Sequence, residues 1–444
     1  MTLESSDQSA SPMRMLAWNL FLGERQTSSS RQQEALTAIL SEAEMRRLGS
    51  IYFEKVHPCY SFVDRTELLQ SISRTWNGQR SGAQDAFLSG VAALALLFSD
   101  TQDVETELSL VSLSKRLLDP SIADPPSLHS ATAWVLRTAY LRLTAKPEEA
   151  WLASCTTLHV IDAAGLMSCA SRGSAFSASP DLVDIQLRKR VIGVAQHLNI
   201  WMSYDLGRSR VSLQNTDTTP PIPQPGEYTV ELLELLPYSQ ILDPTNELSV
   251  DSLITALVDV LNRVHTEPPS VLAQCNLALC IHRRLHASKL EIPESVMNKV
   301  IGLIQRAIQA VHSNVATNRP WHHVAYIPFQ AICTLLVIDT VQSFALLSEA
   351  LACVVAVNDA YPGEATREAT TAACTLLQLH RKRREAEVKK QSDMLSLYPS
   401  MDFSSQGSYS DPLNGNALSD FAWFNEFISQ SDLSLGLDPL MQTL

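Results

Sequence analysis

Residues 184–223, DIQLRKRVIGVAQHLNIWMSYDLGRSRVSLQNTDTTPPIP, decide the fold. Leu187, Val191, Val194, Leu198, Trp201 and Met202 recur three and four apart, the spacing of one buried helix face. Arg188, Lys189 and Arg190 crowd the first turns of that helix. Gly207 is placed to stop it, as glycine does where a positive φ is needed. The segment beyond it is not helical. Pro220, Pro221, Pro223 and Pro225 remove four backbone donors from a short stretch, so the chain is expected to run on as an extended strap.

A basic pair, a long apolar helix, Gly-Arg and a proline-bearing strap, in that order, resemble the middle homology region of fungus-specific transcription factors. In that family this helical regulatory domain usually lies behind a binuclear zinc-cluster DNA-binding domain. Lys189 and Arg190 stand at the family's basic pair, Asn199 at its Asp, Ser203 at its Ser, and Gly207-Arg208 at its Gly-Arg. Ile192-Gly193, Ile200 and Ser209 depart from its aromatic run, its Arg and its Pro. Two more stretches agree in order and distance. In YFEKVHPCYSFVDRTELL, 52–69, Phe53, His57-Pro58, Phe62 and Asp64 match the family's opening helix and corner. In AWLASCTTLHVIDAAGLM, 150–167, Trp151, Gly165 and Leu166 match, with His159 for the usual Arg and Met167 for the usual His. The resemblance covers about residues 50 to 300. It implies a domain that controls activity and can form homo- or heterodimers, serving metabolic gene sets that include secondary-metabolite clusters.

The 444 residues, 45% hydrophobic, hold ample material for a core. The apolar runs 87–98 and 332–357 read as buried helices. The first is too short to span a bilayer and the second carries Asp339 and Glu349, so no membrane partner is expected. The start, MTLESSDQSASP, is polar and unlike a signal peptide. Eight cysteines are scattered, with no Cys-x-x-Cys, which excludes the paired thiolates of a zinc cluster and suggests buried free thiols on apolar helix faces. A net charge of −13 argues against phosphate binding by the chain as a whole. DNA is therefore expected to be reached indirectly, through a partner or a zinc cluster missing from these residues.

Without β alternation, the pattern predicts an all-α, irregular multi-helical domain of about a dozen or more helices. Residues 1–31 read as a polar lead containing a short helix at 13–21, residues 32–390 as the regulatory domain, and 391–444 as a disordered acidic tail. Ser168–Ser179 reads as a loop. Pro328 is expected to interrupt a run that then continues as one long apolar helix to about Val357. A last helix covers 364–390.

Signs of catalysis are few. There is no phosphate-cradling glycine loop and no Asp-Asp pair for a magnesium-dependent cyclase. His282 and His286 have two-ligand spacing, but Arg283 stands where a general base would, so an exposed or half-buried helix face is expected. His322-His323 reads as loop packing. No catalytic residue, metal or cofactor is assigned. Arg381, Lys382, Arg383 and Arg384 fit a nuclear-import patch, or else a solvated helix end placed against the C-terminal dipole. Phe421, Trp423, Phe424 and Phe427 lie in a segment beyond Lys390 that has seven acidic residues and no Lys, Arg or His. That mix resembles an activation tail that folds on a coactivator groove. The residues point to a nuclear transcriptional regulator. Two alternatives stay open: an all-α enzyme or ligand-binding protein, and an interaction scaffold without regulatory output.

Overall fold

The computed structural model describes residues 35–101, 103–121, 126–144, 147–167, 182–213, 219–242, 250–288 and 292–396. The lead, its helix at 13–21, the loop at 168–179 and the four tail aromatics lie outside them. All regular structure among the described residues is helical, as the pattern predicts.

The first half comprises α1 (Leu36–Ile39), α2 (Glu42–Ile51), α3 (Arg65–Trp76), α4 (Gly82–Leu97), α5 (Val104–Ser121), α6 (Leu128–Thr144), α7 (Pro147–Ala163) and α8 (Leu182–Asp205). The second comprises α9 (Thr229–Leu233), α10 (Leu236–Ser239), α11 (Val250–Asn262), α12 (Pro268–Ala287), α13 (Glu294–Ala316), α14 (His322–Ile338), α15 (Val341–Ala360) and α16 (Glu364–Ser396). Starts are set by local chemistry. Ser41, Asp64 and Ser81 cap α2, α3 and α4 by accepting the N–H three residues on.

Composition sorts the helices by depth. α4, α6, α12 and α14 are apolar or small nearly all round and lie buried on every side. α4 packs on α2, α3, α5 and α6, while α14 packs on α12, α13, α15 and α16. Side chains from both halves form one continuous core. α15 has the length and composition to cross a membrane, but one face packs on α13, α14 and α16.

The structure corrects three expectations. Pro328 does not interrupt α14, whose residues from His322 to Val337 are all buried; close packing on every side holds the helix across one missing bond. The long apolar helix breaks instead at Asp339, with a left-handed φ of 48°, after which Thr340 and Ser343 form a reciprocal capping box that starts α15. His322 and His323 are the buried first residues of α14, not loop packing. On the face expected to be exposed or half-buried, His286 is half-buried and His282 is buried. The thiols of Cys275, Cys280, Cys333 and Cys353 are buried on helices. Cys59 lies buried in a corner and Cys374 is exposed.

At Gly90 α4 lies close against α6, and an added Cβ would sit 2.9 Å from Leu136 Cβ. Gly90→Ala is expected to lower stability by about 2 kcal/mol, read from urea unfolding, because neither backbone-anchored atom can swing away. Gly302→Ala on α13, where no atom would lie within 4 Å, is the control and is expected to stabilise by up to about 1 kcal/mol.

Candidate functional site

The described residues of the strap after α8 lack regular structure, so their backbone groups need other partners. Side chains supply them. At the turn, Gly207 takes φ 58°, and Gly207 N–H and Arg208 N–H donate to Tyr204 O and Ser203 O, closing the helix in a Schellman pattern. Arg208 itself is exposed. Ser203 Oγ bonds Ser209 O at 3.2 Å, and Trp151 Nε1 from α7 reaches the same oxygen and Ser203 Oγ. Asn199 Oδ1 accepts from Val211 N–H while its Nδ2 donates to Ser154 Oγ, both at 2.9 Å. Farther along, Lys189 Nζ bonds Thr219 Oγ1, Gln186 Oε1 accepts from Ile222 N–H, and Arg190 Nη2 donates to Ile222 O at 3.0 Å. Gly165 takes φ 65° in the turn ending α7, with Leu166 and Met167 buried beneath.

The far end of the strap is stitched to the corner beyond α2. A π-helical turn, Tyr52–Val56, extends α2, and Pro58 ends it. His57 Nε2 lies 3.1 Å from Glu227 Oε1, Tyr228 N–H donates to Pro58 O, and Thr229 Oγ1 links Cys59 O to Ser61 N–H. Arg190 lies 3.3 Å from the other oxygen of Glu227. Burial opposes the Glu227 charge, but hydrogen bonds from His57 and Ser61 and the positive charge of His57 and Arg190 outweigh it, and its pKa falls below the usual carboxylate value. Between corner, α8 and strap lies a cleft of about 810 Å³, lined among others by Phe53, His57, Asp64, Arg65, Arg190 and Ile222. Thus the three stretches that carry the family resemblance converge on one strap, and two of them, 52–69 and 184–223, line the cleft.

A second constellation lies deep inside, where α14 meets α6 and α8. Arg142 and Asp205 form a buried ion pair. Around it a chain of ring contacts runs from Phe98 through Trp321, Tyr60, His197 and Trp201 to His323. His323 in turn meets His322 at 3.8 Å and Tyr326 at 5.6 Å between ring centres. Burial holds the rings neutral: the pKa of His197 falls to about 3, and those of His322 and His323 go well below the usual value, with the Arg142 charge adding to each. Seven polar atoms here have no hydrogen-bond partner among the described residues: His197 Nδ1, Trp201 Nε1, Trp321 Nε1, both nitrogens of His322, His323 Nε2 and Tyr326 Oη. Such atoms ordinarily cost about 1–3 kcal/mol each, which makes their gathering notable. Sequence reading misses this cluster. Its only signals are two arginines in the apolar run of α6 and the His322-His323 doublet beside Trp321.

Arg381, Lys382, Arg383 and Arg384, the cations expected to form an import patch, sit on α16, which runs to Ser396 rather than ending near Lys390. Its four cations lie about three turns before the end, so the helix-dipole explanation does not reach them. Arg381 and Arg384 are exposed, whereas Arg383 turns toward Glu387 at 2.8 Å. Arg384 also lies 3.7 Å from Asp339. Among the described residues no group of three or more His, Cys, Asp or Glu could hold a metal ion.

The helix, Gly-Arg turn and clamped strap thus bring together the residues on which the resemblance rests. Residues 50–312 match the fungal specific transcription factor domain, and the chain belongs to that family. It is 37% identical to Protein RDR1 of Gibberella zeae, over 97% of this chain and 79% of that one. It is 34% identical to Transcription factor kojR of Aspergillus oryzae, over 90% of this chain and 71% of that one. Protein RDR1 of Saccharomyces cerevisiae is 27% identical, over 86% and 71%.

Arg190→Met is expected to cost about 3 kcal/mol, since it leaves the Ile222 carbonyl and part of the Glu227 charge without their cation. Faster tryptic cleavage at Arg208 and Arg210 would report the loosened strap. The buried histidines make a second expectation. Unfolded rings take up protons below about pH 6.5 and the folded rings refuse them, so stability falls as pH drops through that value. The slope is about 1.4 kcal/mol per pH unit for each ring, and His197→Phe should make urea midpoints less pH-dependent by one ring's share.

Proposed function

We propose that the protein is a nuclear regulator of a fungal metabolic gene set, with secondary-metabolite genes as the leading expectation. Residues 32–390 act as its regulatory domain. The family match over 50–312 carries this reading, and the clamped strap, built from the residues of the resemblance, supports it. The cations Arg381, Lys382, Arg383 and Arg384 serve import, and the acidic segment with Phe421, Trp423, Phe424 and Phe427 recruits a coactivator. DNA is reached through a partner, including a homo- or heterodimer mate, or through a zinc cluster outside these residues.

The test is a reporter assay in a fungal cell with the full chain fused to an unrelated DNA-binding domain. The fusion is expected to activate, and changing the four aromatics to Ala is expected to reduce activation at least tenfold at equal protein level. Silence of the intact fusion would sink the activator reading.

A further inference from the structure

α15 carries more apolar surface than the described residues cover. α4 and α14, also apolar, are buried all round, whereas α15 packs on α13, α14 and α16 and turns one face outward. On that face Val341, Phe344, Ser348, Ala352 and Val355 are exposed, Val341 at 88% and Phe344 at 62%. At 3.6 residues per turn all five fall within about 40° of one line along the helix. Single apolar side chains at a surface need no explanation, but an aligned stripe of this length does.

We infer that this face is the contact of a homodimer, in which α15 pairs antiparallel with α15 of a second copy about a two-fold axis at Ser348. The inference rests on the dimer mate of the proposed function and gives that mate a surface. The occupant follows from the face itself. A two-fold contact must be self-complementary, so that each pairing occurs twice. The steps between the five residues are 3, 4, 4 and 3, which read the same in both directions from Ser348. An antiparallel copy therefore sets Val341 of one chain against Val355 of the other, and bulky Phe344 against small Ala352. Ser348 meets its own mate at the centre, where a small side chain lets the two backbones approach. Charge agrees with this direction. Arg384, 56% exposed, stands 3.7 Å from Asp339 beside the start of α15, while Asp359 and Glu364 are exposed at its end. Antiparallel pairing brings each cationic end to an acidic one, and parallel pairing would oppose like charges. The area is sufficient as well. The 20 residues of α15 extend about 30 Å, and α13 and α16 pack against it at interaxial distances of about 9 Å. Such a layer offers about 800 Å² per copy, the share each partner brings to a stable interface of standard size.

The test is sedimentation of the full chain, which is expected to be a dimer at micromolar concentration. Phe344→Glu and Val355→Glu, each placing a charge at an exposed position, are expected to weaken dimerisation at least tenfold. Circular dichroism checks that both variants fold, and Val355→Glu carries the comparison should Phe344→Glu fail to. Direction is read by cross-linking with a short bismaleimide in a Cys374→Ser background. A Val341→Cys chain mixed with a Val355→Cys chain is expected to link, and neither is expected to link with itself. A monomeric wild type overturns the inference, whether another protein or another part of the chain covers the face. So does a dimer that both variants leave intact, and so does absence of the mixed cross-link. None of these results bears on whether the reporter fusion activates, so this inference can fail while the regulator reading stands.

Discussion

A segment that crosses a helical protein without joining a helix or a sheet must find a partner for each peptide group it buries. The described residues of the strap, 209–213 and 219–227, form that segment, and their solution governs the first half of the molecule. Asn199, Ser203, Trp151, Lys189 and Arg190 hold its near and middle parts, while His57, Pro58 and Thr229 fix its far end. These partners come from positions spread over more than 150 residues of sequence. α2, α7 and α8 can therefore occupy few relative positions: shifting any one of them breaks several bonds at once. Within α8 the residues of the resemblance that make these bonds are the polar Lys189, Arg190, Asn199 and Ser203. The apolar face could be filled by many combinations of Leu, Ile and Val.

The second constraint lies between the halves. Arg142 and Asp205 are taken out of water together, and they satisfy each other in the low-dielectric interior. Three neutral histidines and two indoles crowd the same region. A purely apolar junction of this size would pack as well at less electrostatic cost. The polar junction therefore makes the contact between α14 and α8 sensitive to proton concentration and to small changes in its surroundings.

Much of this is legible in the sequence. Periodicity reveals α8, and glycine chemistry reveals its end, because both depend on residues close along the chain. The family residues of the clamp can be picked out one by one, yet nothing local shows that Glu227 and Thr229 complete it. Long-range pairing leaves no spacing to read. Pro328 misleads because its local cost ignores the packing that surrounds α14, and Asp339 escapes notice because a left-handed aspartate looks like any other acid in a row of letters. His322 and His323 resemble loop residues for want of any local sign of burial. The length of α16 is underread because charge, which marks exposure, is easily taken to mark an end.

That length has a geometric result. α16 keeps contact with the core as far as Arg384, which lies 3.7 Å from Asp339, and continues twelve residues to Ser396. At about 1.5 Å per residue this makes a stiff boom of roughly 18 Å standing off the core. Its tip at Ser396 thus stands clear of the globule by more than the diameter of another helix. Shortening the boom by whole turns would test reach without altering a single contact in the core.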